Sequence, residues 1–257
     1  ESMWMGEHPI IPVSAANAER YGVPLPPNYR NMPALFVSLA AAAAVTNRIK
    51  LGTNVCLVPQ RDPLLLAKEL ATLDHISGGR LIFAYGTGWI EDEAPVFGYR
   101  FDKRLGRTLD FMRAVKVLWT EEEAAFHGEM VNFDPVWSYP KPAQRPHPPI
   151  LLGGETDYTL RRVVEYCDGW FPRPQRDWDI RHERDRLRAM ADKHRRDFAE
   201  LFISVFRAPA DKAEASWPAG AVNARRSRRA IRKPSMNRAY LSAIASPTGP
   251  PPTIMTS

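Results

Sequence analysis

The stretch RDPLLLAKELATLDHISGGRLIFAYGTGW (61–89) decides the fold, because it contains one complete helix–strand unit with its boundaries marked. Asp62 suits the N-cap of a helix and Pro63 its first turn, and leucines recur on one face until two consecutive glycines end it. RLIFAY (80–85) is a continuous apolar run, typical of a parallel strand covered on both faces. A helix followed at once by such a strand indicates an α/β protein.

The same alternation extends in both directions from this unit and predicts six strands and five helices. Strict alternation indicates parallel β-α units, which both a doubly wound sheet and a TIM barrel satisfy. The barrel is favoured, because Glu91 stands where a dinucleotide-binding fingerprint requires its third glycine. The predicted strands are 2–5, 48–58, 80–85, 149–154, 168–171 and 201–206, the helices are 33–46, 63–77, 102–119, 157–166 and 177–195, and 124–133 forms a small hairpin.

The composition is that of a soluble globular protein, with 44% hydrophobic and 25% charged residues in a chain of 257. No apolar run approaches the length of about 18 residues that a membrane span needs, and no basic segment precedes an apolar run at the start. We therefore expect a cytoplasmic protein with no membrane partner. Cys56 and Cys167 lie far apart without metal-ligand spacing, so two free thiols and no metal site are expected.

The net charge of +6 is concentrated at one end of the chain. Residues 207–257 contain nine Lys and Arg against two acids, a net of +7, whereas residues 1–206 sum to −1. A nucleic-acid-binding fold is therefore not indicated, although the block RRSRRAIRK (225–233) could meet an acidic surface. We interpret 1–206 as the folded domain and 207–257 as a basic Ala/Pro/Arg/Ser-rich tail that is either disordered or read out of frame from a GC-rich gene.

Three segments carry a family resemblance: MWMGEH (3–8), the run 48–89, and PKPAQRPHPPILLGG (140–154) followed by DGWFP (168–172). Over residues 1–206 the chain resembles the luciferase-like monooxygenase superfamily, and within it the actinobacterial oxidoreductases that use the deazaflavin coenzyme F-420. Members of the family are TIM barrels. The expected fold is therefore an α/β, TIM (β/α)8-type barrel whose six visible strands are the second to seventh, lacking the first strand and a recognisable eighth.

The predicted catalytic pair is Glu7 and His8, which follow the strand at 2–5 and so lie at the carboxyl face where barrels place catalysis. The resemblance implies that His8 gives or takes a proton beside the redox carbon of the cofactor. An imidazole titrates near neutrality and can serve in either direction. Glu7 is expected to orient the ring of His8 or to raise its pKa. A purely structural histidine is the alternative.

The predicted cofactor-binding residues come from three strand ends. At GTNV (52–55) the resemblance implies a backbone bulge, often with a non-proline cis peptide, that supports the central ring of the cofactor, with Asn54 and Val55 as the candidates; an ordinary kinked strand is the alternative. Two glycine-rich loops, after the third and fourth predicted strands, expose backbone amides that can hold a phosphate. The resemblance implies that they do so jointly; a simple turn is the alternative. Their residues are Gly86, Thr87, Gly88, Gly153 and Gly154.

The residues next to the first glycine loop have less definite roles. Trp89 either walls the pocket or belongs to a lid or the core. The acids Glu91, Asp92 and Glu93 would repel a phosphate, so we interpret them as the solvated start of a helix. Arg61 either meets an anionic group of the substrate or cofactor or caps its neighbours.

Three functions remain open on the sequence. The first is an F-420-dependent oxidoreductase that transfers a hydride between reduced deazaflavin and an organic substrate. The second is an FMN-dependent luciferase-like monooxygenase. The third belongs to another class: a catalytically inactive remnant, or a binding protein with a basic tail. The expected partners are a small-molecule substrate and, as one option, a second copy of the chain.

Overall fold

The computed structural model describes residues 2–16, 25, 27–173 and 179–205. The predicted tail at 207–257 lies outside these residues. Within them, no helix has both the length and the apolar character needed to cross a membrane.

Parallel strands form the centre of the molecule, in the sheet order β1-β2-β4-β7-β8-β9. All six predicted strands are confirmed, but the second is interrupted, and its two parts both pair with β4. The predicted hairpin is also confirmed as a separate antiparallel pair, β5 with β6. The strands are β1 Ser2–Met5, β2 Lys50–Thr53, β3 Cys56–Leu57, β4 Leu81–Gly86, β5 Ala124–His127, β6 Asn132–Val136, β7 Ile150–Gly153, β8 Gly169–Phe171 and β9 Phe202–Ile203.

Five helices alternate with the parallel strands, as the sequence predicts. The Asp62 side chain caps α3 by accepting hydrogen bonds of 2.9 Å from the backbone N–H groups of Leu64 and Leu65. These helices are α2 Leu35–Val45, α3 Pro63–Ile76, α5 Arg104–Thr120, α6 Asp157–Tyr166 and α7 Ile180–Lys193, and single turns form α1 Val13–Ala16 and α4 Glu93–Val96.

Side chains on the two faces of the sheet show that it is curled. Phe83 and Tyr85 join the large core between the sheet and the helices, whereas Ala84 joins a small cluster on the opposite face. On that inner face Trp4 of β1 stacks on Phe171 of β8, with ring centroids 4.9 Å apart. These strands are four places apart in the sheet, about 19 Å if it were flat. The sheet therefore curls into a half-barrel, as the predicted TIM-type fold requires.

Candidate active site

The predicted site residues share one edge of the sheet, because parallel strands all end on the same side. Glu7 and His8 follow β1, Asn54 and Val55 follow β2, and the two glycine loops follow β4 and β7. β4 and β7 are direct neighbours, with Tyr85 opposite Leu152. The two glycine loops are therefore adjacent in space as well as similar in sequence.

His8 is held by a carboxylate that lies far away in the sequence. Its Nδ1 is 2.6 Å from Oε1 of Glu93, a residue that is 0% exposed. The other oxygen, Oε2, accepts a hydrogen bond of 2.7 Å from Nε2 of Gln60. A buried carboxylate is costly unless it is paired in this way.

Glu7 does not orient the imidazole, which was one of the two roles expected of it. Glu7 Oε1 accepts the backbone N–H of Leu57 at 2.7 Å and Nε of Arg61 at 3.1 Å, and its Oε2 pairs with Nη2 of Arg61. Burial opposes the charge of Arg61, but the hydrogen bond and charge of Glu7 outweigh it, so the Arg61 pKa lies above its usual value. Glu7 thus links the end of β1 to β3 and to Arg61 after it, and Glu93 holds the histidine instead.

The three acids after Trp89 were interpreted as solvated, and this is wrong for Glu93, which is buried. Glu91 is exposed, whereas Glu93 turns inward at the start of α4. A run of acids near a helix start is usually solvated, and nothing in the run itself marks its third member as different. A possible signal was the apolar Ile90 before it and Ala94 after it, both fully buried.

Arg61 binds carboxylates of the protein itself, whereas the two predicted roles were contact with an anionic substrate or cofactor and capping of its neighbours. Besides pairing with Glu7, its Nη1 lies 3.4 Å from Oε2 of Glu69, and its guanidinium lies 4.4 Å from the centroid of the Phe36 ring. These contacts engage the charge within the protein. Arg61 therefore stabilises the loop after β3.

The backbone between β2 and β3 has the predicted irregular geometry, since the Asn54–Val55 peptide bond is cis. The side chain of Val55 then reaches the two glycine loops. A Cβ atom added at Gly86 would lie 2.7 Å from Cγ2 of Val55, and one added at Gly153 would lie 3.3 Å from Cγ1. The space that Gly86 leaves open is therefore occupied by a valine methyl group, and not by open solvent.

Thr87 of the first glycine loop borders a pocket of about 240 Å³, a volume that includes open solvent. Gly88 and Gly154 turn the backbone with φ of +79° and +121°, values that favour glycine. The Nε of Arg162 is buried and has no hydrogen-bond partner among the described residues. The pocket is lined by Tyr85, Thr87, Leu105, Thr108, Leu109, Leu152, Tyr158 and Arg162.

Two aromatic rings flank the histidine. The Tyr29 ring lies 5.0 Å from the imidazole of His8, centroid to centroid, and Trp89 meets it edge-on at 6.3 Å. Trp89 is 43% exposed. Trp89 therefore lies beside His8 and is not a core residue, which excludes one of its open interpretations.

These features define a class of fold: an α/β protein of the TIM-barrel type, with titratable side chains and two glycine-rich loops at the carboxyl ends of its strands. The chain belongs to the luciferase-like monooxygenase family, whose family model matches residues 1–238.

Relatives with different cofactors match the chain. The uncharacterized protein Rv0953c of Mycobacterium tuberculosis is 42% identical over 70% of this chain and 64% of its own length. The FMNH2-dependent dimethylsulfone monooxygenase of Pseudomonas putida is 33% identical over 59% of this chain and 42% of its own. Rv3520c of M. tuberculosis, provisionally named a coenzyme F-420-dependent oxidoreductase, is 31% identical over 53% of this chain and 43% of its own length. This chain thus spans between two fifths and two thirds of the length of these relatives.

Among solved structures, an F-420-dependent secondary alcohol dehydrogenase superposes with a TM-score of 0.63. The two are 19% identical, and the match covers 79% of this chain and 59% of the other. At this identity the likeness establishes the shared fold.

Proposed function

We propose that this chain is an F-420-dependent oxidoreductase, which transfers a hydride between the reduced deazaflavin and an organic substrate. The observation that carries the proposal is the pocket at the ends of β4 and β7, where Thr87 of the first glycine loop lies with Thr108 and Arg162. Membership of a family with deazaflavin-using relatives supports it. A small organic substrate and a second copy of the chain are the predicted partners.

The chemistry of the pocket fits the phosphate of such a cofactor. Thr87, Thr108 and Tyr158 supply hydroxyl donors. Arg162 supplies an unused buried N–H at Nε, while its Nη1 pairs with Glu165 at 2.7 Å. The start of α6 lies close to the second loop and favours an anion. The pocket is small and partly open to solvent, so it suits one end of an elongated molecule.

The other residues of the edge would act on the ring end. The bound deazaflavin supplies the hydride, and the protein supplies placement and proton handling. His8 would give or take the accompanying proton, and Tyr29 and Trp89 would keep water from the imidazole. Asn54 and Val55 would support the ring from the bulge after β2. Glu7 and Arg61 would hold the loop that carries His8.

FMN is the second candidate cofactor, favoured by the 33% identity to the FMNH2-dependent monooxygenase. Both cofactors consist of a fused ring joined through a ribityl chain to a phosphate, so the same pocket would serve either. Binding is therefore the measurement that separates them.

The experiment is a fluorescence titration of the purified chain with F-420 and, separately, with FMN. Arg162→Gln should weaken binding of the preferred cofactor by about 10- to 100-fold, which corresponds to the roughly 1.5–3 kcal/mol of a hydrogen bond to a charged group. Arg161→Gln is the matched control, because Arg161 is the exposed neighbour on the same helix and should leave binding unchanged.

The outcomes divide the candidate functions. Saturable F-420 binding that falls in Arg162→Gln and not in Arg161→Gln supports the first function. Saturable binding of FMN alone transfers the assignment to the monooxygenase. If neither cofactor binds a chain that is folded by circular dichroism, both proposals are wrong and the non-catalytic alternative stands.

A further inference from the structure

Glu93 is the most deeply buried acid at the carboxyl edge of the sheet, and both of its oxygens are engaged. Oε1 meets Nδ1 of His8 at 2.6 Å and Oε2 meets Nε2 of Gln60 at 2.7 Å. His8 itself is 8% exposed and Gln60 is 8% exposed. The three side chains therefore form one hydrogen-bonded chain that runs from the interior to the imidazole.

The hydrogen-bonding capacities of the three side chains determine where the protons lie between Gln60, Glu93 and His8. The amide nitrogen of Gln60 can only donate, so Oε2 of Glu93 must accept. An ionised Glu93 has no proton to give, and Nδ1 of His8 must then donate to Oε1. In the neutral ring only one nitrogen carries a proton, so Nε2 is left with its lone pair.

The Nε2 atom is the one that remains for chemistry. Among the described residues no hydrogen bond engages it, whereas Nδ1 is taken by Glu93. An imidazole with its Nδ1–H held by a buried carboxylate cannot rotate or change tautomer without breaking that bond. The same carboxylate would also stabilise the imidazolium that forms when Nε2 accepts a proton.

We propose that Glu93 is a positioning residue for His8: it fixes the imidazole as the Nδ1–H tautomer and presents Nε2 to the substrate side. Gln60 holds Glu93 in turn through Oε2. The inference rests on the proposed function for the use of His8 in proton transfer. The tautomer itself is a property of the ligand-free chain.

The test is nitrogen NMR of the histidine side chains in the ligand-free protein, at a pH where the ring is neutral. Protonated and unprotonated ring nitrogens have well-separated 15N shifts, and His8→Asn identifies the His8 signals among the six histidines. The wild type should show His8 protonated at Nδ1. Glu91→Gln, which removes a nearby exposed carboxylate, should show the same.

Glu93→Gln should reverse the tautomer. With Gln60 still donating through Nε2, the new amide oxygen accepts from it, which leaves the NH2 group facing Nδ1 of His8 as a donor. Nδ1 then becomes the acceptor and the proton moves to Nε2. Glu93→Asp, which restores a carboxylate on a shorter stem, should return the major population to Nδ1–H. A role in packing alone would leave the tautomer unchanged in Glu93→Gln.

Two results would overturn the proposal. One is a wild-type His8 protonated mainly at Nε2, a measurement that needs no variant and so survives a folding failure of Glu93→Gln. The other is an unchanged tautomer in a folded Glu93→Gln protein. Neither result depends on cofactor binding, so failure of this inference and failure of the cofactor proposal are told apart by separate experiments.

Discussion

Val55 and the two glycine loops should behave as one packed unit. In Gly86→Ala the new Cβ would lie 2.7 Å from Cγ2 of Val55, whereas ordinary contact begins at 3.4 Å. Val55 follows the strand β2 and is half-buried, so its methyl group cannot swing freely away. Overpacking of this kind costs about 1–3 kcal/mol of unfolding free energy.

Gly153→Ala should cost less, below about 1 kcal/mol, because its Cβ would lie 3.3 Å from Cγ1 of Val55, close to ordinary contact. The decisive variant is the double mutant Gly86→Ala with Val55→Ala. Removing both methyl groups of the valine creates the room that the alanine needs. The double mutant should therefore be more stable than the sum of the single effects predicts, by at least about 1 kcal/mol.

Urea unfolding followed by circular dichroism measures the wild type, the three single variants Gly86→Ala, Gly153→Ala and Val55→Ala, and the double mutant, with Gly106→Ala as the control. Gly106 lies in α5 with nothing within 4 Å of an added Cβ, so that change should be neutral or stabilising by up to about 1 kcal/mol. Additive effects of Gly86→Ala and Val55→Ala would refute the contact. A Gly86→Ala protein as stable as the wild type would do the same.

Two further predictions concern stability. Burial raises the pKa of the Cys167 thiol from 9.0 to about 12, so the unfolded chain releases this proton above about pH 9 while the folded chain keeps it. The free energy of unfolding should therefore fall between about pH 9 and pH 12, by about 1.4 kcal/mol per pH unit. Urea unfolding of the wild type and of Cys167→Ala measures the difference. Parallel pH profiles of the two proteins would contradict the prediction. Arg80 is 8% exposed and donates five hydrogen bonds around the ends of α2 and α3. Each hydrogen bond is worth about 1 kcal/mol, so Arg80→Met should lower the free energy of unfolding by about 3–5 kcal/mol in the same assay. The exposed control Arg48→Met should lower it by less than about 0.5 kcal/mol. Equal losses in the two variants would refute the role of Arg80.

Local signals predicted most of the fold. The N-cap at Asp62 and the bounds of α6 depend on residues a few positions apart, and these were right. The strand at 48–58 was predicted as continuous, since its β-branched composition does not show where the ladder breaks. The resemblance, and not the composition, pointed to the irregular peptide at Asn54 and Val55.

The partners of the acids could not be predicted from the chain alone. Glu93 lies 85 positions from His8 and 33 from Gln60, and Glu7 lies 54 from Arg61. Glu7 is adjacent to His8 in sequence, which made it the natural candidate. Successive side chains along an extended segment point in different directions, however, so the side chains of Glu7 and His8 have different partners although the two residues are adjacent. Tertiary packing decided which carboxylate reached the imidazole.

The order of the strands fixes the distances between the loops at the carboxyl edge of the sheet. The loop with His8 follows β1, and the glycine loops follow β4 and β7, which lie two and three strands further along the sheet. At a strand spacing of about 4.8 Å, His8 and the far loop are separated by about 14 Å along the sheet. A free phosphate, or a ring without its side chain, is too short to contact both the His8 loop and the far glycine loop. Under the proposed function, a single cofactor that reaches both would have to be elongated, with its ring near His8 and its phosphate near the far loop, so the strand spacing would set a minimum length for the ligand.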